Sequence, residues 1–104
     1  MNNTEFPVES AVLINCDNQV LLKQIGRMNV LAISGGRFQS RRTGVTLPVR
    51  YGYSVSVDLT ANNSYIVKRV FARGGRVWIK KTWTDVYCSE VGEIAYQASC
   101  YLDD

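Results

Sequence analysis

The chain contains no histidine, only two prolines and only three cysteines. Without histidine there is no ordinary Ser-His or Cys-His pair, because another base would have to activate the nucleophile. Three cysteines cannot complete a tetrahedral zinc site unless a carboxylate or a second chain joins them. If Cys88 and Cys100 share a helix, twelve residues separate them by about 18 Å, which excludes a disulfide between them. Buried, unreactive thiols are therefore expected, and no metal or cofactor. With two prolines and eight glycines, no stretch reads as a flexible linker, and no repeat or low-complexity tract occurs.

Long apolar runs are also missing. The longest, such as Ala11-Val12-Leu13-Ile14, fall far short of the roughly 20 residues a bilayer requires. The first basic residue is Lys23, preceded by Glu5 and Glu9, the reverse of a signal peptide's charge pattern. A cytoplasmic protein without membrane association is expected.

What is present is one domain's worth of chain: 104 residues, 46 % of them hydrophobic, enough for a packed core. Residues 1–104 are expected to form a single domain, with 1–16 as a loosely attached extension.

Charge is unevenly placed. All twelve Lys and Arg residues lie between Lys23 and Lys81 with one acid, Asp58, a formal +11; the flanks hold eight acids and no base, a formal −8. Two readings stay open: acidic helices docked beside a basic sheet, or a sheet that presents positive potential to nucleic acid or an acidic protein.

The clearest pattern is Tyr51, Tyr53, Val55, Val57 and Leu59 alternating with Gly52, Ser54, Ser56, Asp58 and Thr60, a half-buried strand. Asn62-Asn63 and Gly74-Gly75 each offer a two-residue hairpin turn. Pairing across them sets Leu59 against Ile66, Val55 against Val70, Phe71 against Trp78, Arg73 against Arg76 and Arg69 against Lys80. The core face then collects Tyr53, Val55, Val57, Leu59, Ile66, Val70, Ala72, Val77, Ile79 and Trp83. The solvent face collects Ser54, Ser56, Asp58, Tyr65, Val67, Arg69, Phe71, Arg73, Arg76, Trp78 and Lys80. Lys68 and Lys81 fall opposite each other on the core face, where they must reach solvent or form an anion-binding spot.

Val45, Leu47 and Val49 read as a strand whose Pro48 marks an edge or an end. Val30 to Gln39 reads as another strand, bulged at Gly35-Gly36. Asp17 caps a short helix carrying Leu21, Leu22, Ile25 and Met28 as one stripe. Residues 10–16 are ambiguous between helix and strand. Tyr87, Val91, Ile94, Ala95, Ala98 and Leu102 recur at helical spacing, predicting a helix over 86–101. The fold class expected is α+β: an antiparallel meander of about five strands, with a short N-terminal helix and a C-terminal helix packed on one face.

Catalytic candidates are absent from this pattern. Asp58 reads as a surface ion-pair member near Arg69, and Ser34-Gly35-Gly36-Arg37 is too short for a phosphate loop. The candidate binding residues are Tyr65, Arg69, Phe71, Arg73, Arg76, Trp78 and Lys80, where aromatics interleave with cations; Arg37, Arg41, Arg42, Lys68 and Lys81 are secondary. Such a face suits nucleic acid, with bases on rings and phosphates on cations. It equally suits a protein partner or a second copy in a homodimer, or simple cross-strand packing.

Gln24-Ile25-Gly26-Arg27-Met28-Asn29-Val30-Leu31-Ala32-Ile33-Ser34-Gly35-Gly36-Arg37 resembles the opening of a group of small proteins of phages and mobile elements, chiefly actinobacterial. The resemblance continues through Leu47-Pro48-Val49, Tyr65 to Arg76, Asp85-Val86-Tyr87-Cys88 and Val91-Gly92-Glu93 to Ala98-Ser99-Cys100, covering roughly residues 21–102. Ser89 departs from the group's acidic residue. The resemblance carries over no site residues. It implies a small phage-type protein that acts by stoichiometric binding to a host protein or ribonucleoprotein, including inhibition of defence systems such as CRISPR.

Overall fold

In the computed structural model, which describes residues 12–101, two short helices precede a five-stranded antiparallel sheet, and a third helix closes the chain. Asp17 starts the first helix, α1 (Asn18–Ile25), by accepting the N–H groups of Gln19 at 3.1 Å and Val20 at 3.4 Å. Gly26, at φ +97°, breaks the helix and opens α2 (Arg27–Ser34). Met28 consequently lies outside the stripe of Leu21 and Ile25 and is solvent-exposed, while Leu21 and Ile25 are fully buried.

α2 replaces the strand expected from Val30. Val30 and Ile33, three apart, are its buried apolar positions. Gly35 and Gly36 are its terminator: Gly35 is left-handed (φ +68°), and its N–H and that of Gly36 bond the carbonyls of Leu31 at 2.9 Å and Val30 at 3.3 Å. Of the strand expected over Val30 to Gln39, only Gln39 is in a strand, as the first residue of β1 (Gln39–Arg41). It is followed by β2 (Gly44–Pro48), β3 (Tyr53–Leu59), β4 (Tyr65–Arg73), β5 (Arg76–Val86) and α3 (Val91–Cys100). The strands lie in sequence order, so the sheet is a plain meander and the fold is α+β. Pro48 ends β2 beyond the last β1 pairing, Gln39 with Thr46, so no neighbour there needs its missing N–H. Val12, Ile14 and Cys16 are tied by backbone bonds to Ala61, Leu59 and Arg42, so this part of residues 1–16 is attached to the sheet; residues 1–11 lie outside the described residues.

The register corrects the sequence expectation at one turn. Leu59 pairs with Tyr65 and Val55 with Arg69, instead of with Ile66 and Val70. Thr60 donates its N–H to the Ser64 carbonyl at 2.8 Å, Asn63 donates to Thr60 at 3.0 Å, and only Asn63 of the asparagine pair has positive φ (+65°). The loop is thus three residues, 61–63, with a left-handed residue closing it, in place of a two-residue turn. One extra residue moves every β4 side chain to the other face relative to β3. The Gly74-Gly75 turn is as expected, both residues at positive φ, with Arg73 opposite Arg76 and Phe71 opposite Trp78. A bulge at Lys80 then sets Arg69 against Lys81 and Lys68 against Thr82.

Cross-strand rows define the faces. Toward the helices stand Val45, Val57, Val67 and Trp83 in one row, and Leu59, Tyr65 and Val86 in the next. These join Leu21, Ile25, Val30, Ile33, Val91, Ala95 and Ala98 in a single core. α3 begins at Val91 because β5 continues through Val86; its second residue, Gly92, lets the helix approach α1 so closely that a Cβ would lie 2.2 Å from the Ile25 carbonyl oxygen. Cys88 precedes α3, and both Cys88 and Cys100 are exposed, so neither the shared helix nor the burial expected of them holds.

Candidate binding surface

The corrected register turns the aromatic–basic residues toward the helices. Tyr65 is buried in the core, its Oη donating to Gln24 Oε1 at 2.6 Å, and it leaves the candidate set as a structural residue. Arg69 is only 8 % exposed. Its Nη1 donates to the Ala98 and Ser99 carbonyls, both at 3.0 Å, and its guanidinium lies 4.1 Å from the centre of the Tyr53 ring. These carbonyls belong to the last turn of α3, the negative end of its dipole, so Arg69 fastens the helix to the sheet. Arg69→Ala is expected to lower the unfolding free energy by about 2 kcal/mol, read by urea denaturation. A loss below about 0.5 kcal/mol would mean that water replaces the guanidinium without cost.

Beyond Arg69 the helices no longer cover the sheet. Past the Arg69–Lys81 pair the β4–β5 hairpin runs on to Arg73–Arg76, about 13 Å of strand. On the helix side of this arm lies a continuous ring row: Tyr53 and Phe71 have centroids 4.7 Å apart, and Phe71 and Trp78 5.5 Å apart and stacked. Trp78, on edge strand β5, is 41 % exposed and has a ring neighbour on one side only among the described residues. On the other side stand Val70, Ala72, Val77 and Ile79, the residues expected in the core; Val77 is 66 % and Ile79 51 % exposed. The arm is thus apolar on both faces.

Its tip is cationic. Arg73 and Arg76 face each other directly across the turn, a like-charge pair that is unfavourable on its own. Among the described residues neither has an ion-pair or hydrogen-bonded partner. Beside the ring row, Tyr51 is 85 % exposed with φ +59°, a strained conformation for a bulky residue, and a hollow of about 500 Å³ opens between it, Gly52, Tyr53, Phe71 and Arg73. The alternation counted Tyr51 and Gly52 as strand residues, whereas both lie in the turn before β3.

The secondary cations scatter. Lys68 lies on the face away from the helices and Lys81 on the helix side over Trp83 and Tyr101, so the two do not meet and form no anion site. Lys80 occupies the bulge. Arg42 donates to Asn15 and Arg37 to the Ser34 carbonyl. Arg41 binds Asp58 at 2.7 Å. Asp58 is therefore a buried acid clasped by Arg41 and Thr43, and not a surface partner of Arg69. Both members of this ion pair belong to the basic window. Asp17, Asp85, Glu90 and Glu93 make no ion pair with a described Lys or Arg.

Burial pushes the Cys16 thiol above its usual range, with Asp17 adding to the effect. Among the described residues no three Cys, Asp or Glu side chains converge as metal ligands, and no helix is long and apolar enough to cross a membrane. No family model matches the chain, and neither the curated proteins nor the solved structures contain a significant match.

Proposed function

We propose that the protein works without catalysis, by stoichiometric binding of another macromolecule through the β4–β5 arm. The target class is a host protein or ribonucleoprotein of nucleic-acid defence in the bacterial cytoplasm. The single observation behind this reading is a hairpin apolar on both faces and doubly cationic at its tip. Such an arm buries Val77, Ile79 and Trp78 together only when a cleft embraces it, and the tip suits a cleft closed by carboxylates or phosphates. Trp and Arg are the residue types that dominate binding hot spots. The defence context comes from the phage-type motifs.

The test is recovery of a partner by the tagged chain, with Val77→Asp/Ile79→Asp and Arg73→Glu/Arg76→Glu as comparisons. The unaltered chain should hold a complex through gel filtration. Each double variant should weaken it roughly thirtyfold or more while melting normally. Equal retention by the variants, or no retained partner, overturns the reading.

Direct nucleic-acid binding is the second reading, favoured by Trp78 lying between the tip arginines and Lys81. It is the weaker one because Tyr53 already contacts Phe71 and Arg69, and Phe71 stacks on Trp78, which leaves Trp78 as the main stacking platform. It requires affinity for DNA or RNA oligomers that falls steeply with salt and drops on Trp78→Ala. Absence of binding at low salt eliminates it.

A further inference from the structure

A groove between α1 and α2 stands apart from the arm. Leu22, Val30, Leu31 and Phe38 form its floor, Lys23 and Arg27 its rim, and its volume is about 470 Å³, within the range of small-ligand sites. Leu31 and Phe38 are each nearly half exposed, an apolar surface that the described chain leaves uncovered. Lys23 and Arg27 lie on either side of the Gly26 break and both line the groove, with no described acid at ion-pair distance. No carboxylate lines the groove.

We infer that this groove binds a small amphiphilic anion, a medium-chain carboxylate with its tail on Leu22, Val30, Leu31 and Phe38 and its head between Lys23 and Arg27. Charge sets the head group, since two cations without a described ion-pair partner beside an apolar floor match one anion on an apolar body. Size rejects a docked helix: α1 and α2 are eight residues each, about 12 Å long, too short to cradle several turns. The floor disfavours a sugar-phosphate, whose several hydroxyls would meet the one side-chain amide of Gln19 and otherwise apolar groups.

The experiment is a titration of the isotope-labelled full chain with sodium decanoate below its micelle concentration, followed by amide chemical shifts. Saturable shifts confined to residues 19–38, with residues 70–80 unmoved, are expected. Lys23→Glu/Arg27→Glu should weaken binding about tenfold or more with unchanged melting, and decanol should bind weaker than decanoate by a similar factor. Shifts spread over the sheet, equal affinity for decanol, or no effect of the charge reversal would overturn the assignment. So would the absence of saturation, or sedimentation with anionic phospholipid vesicles in place of decanoate binding. Since no arm residue takes part, Val77→Asp/Ile79→Asp should bind decanoate normally, and failure here leaves the arm reading untouched.

Discussion

Asp58→Ala is expected to lower the unfolding free energy by about 3 kcal/mol. Asp58 is buried on the face of the sheet away from the helices, and its carboxylate accepts Arg41 Nη1 at 2.7 Å and Thr43 Oγ1 at 2.6 Å. Arg41 spends its other donors on Thr46 Oγ1 at 2.8 Å and the Val45 carbonyl at 2.9 Å, so one guanidinium clips the short β1 and the 42–43 turn onto β2 and β3. Removing the carboxylate leaves a charge and a hydroxyl without their acceptor. The Arg41 side chain is about a third exposed, so water recovers part of the loss and the effect stays at the low end for a broken buried pair. Asp58→Asn, which can still accept from Thr43, should cost about half as much. Urea denaturation of the two single variants and of Asp58→Ala/Arg41→Ala closes a double-mutant cycle, and coupling under about 0.5 kcal/mol would show that the clip contributes little.

The architecture was legible wherever side-chain chemistry dictates backbone geometry. Two adjacent glycines can both take positive φ, so Gly74-Gly75 fixed its hairpin and the Phe71–Trp78 and Arg73–Arg76 pairs with it. Asn62-Asn63 misled because asparagine tolerates either sign of φ. Only Asn63 takes the left-handed value, Ala61 becomes part of the loop, and the strand slips by one. Apolar pattern could not expose the slip. β4 carries Ile66 and Val70 on one face and Val67 and Phe71 on the other, so either register yields an apolar core face. The stretch from Val30, expected as a strand to Gln39, misled for a related reason: its run of Val, Leu, Ala and Ile satisfies a buried strand as well as a helix, and the helix is revealed by Gly35 acting as its terminator.

The candidate surface shows the same division. Its composition was legible, since Phe71, Trp78, Arg73 and Arg76 do lie together. Its side of the sheet was not, because that depended on the slipped turn. Nor was the split of labour between Arg69, which holds the end of α3, and the tip arginines, which hold nothing described. Adjacent alternating positions look alike in sequence; what separates them is where α3 ends. The apolar residues Val77 and Ile79 were assigned to the core by pattern, and their exposure is what supports the proposal of the arm as a contact element.

Gly44→Ala should be at least as damaging as the loss of Asp58, at about 3 kcal/mol or more. Gly44 opens β2 opposite Asp58, and an alanine Cβ would lie 1.7 Å from the Val57 carbonyl oxygen, 2.8 Å from its carbon and 3.0 Å from the Asp58 Cα. All three are backbone atoms, so no rotamer change relieves the clash and β2 must move off β3. Gly74→Ala supplies the contrast: nothing lies within 4 Å of its Cβ, but φ is +61°, so only the left-handed conformation opposes it, a cost of about 1 kcal/mol. Moving β2 also pulls Thr43 and Arg41 from the carboxylate. Gly44→Ala and Asp58→Ala should therefore be less than additive by about 1 kcal/mol, whereas Gly74→Ala and Asp58→Ala should add. Thermal and urea unfolding of the five variants decides the matter, and a Gly44→Ala protein no less stable than Gly74→Ala would mean that the two strands do not approach as closely as this register requires.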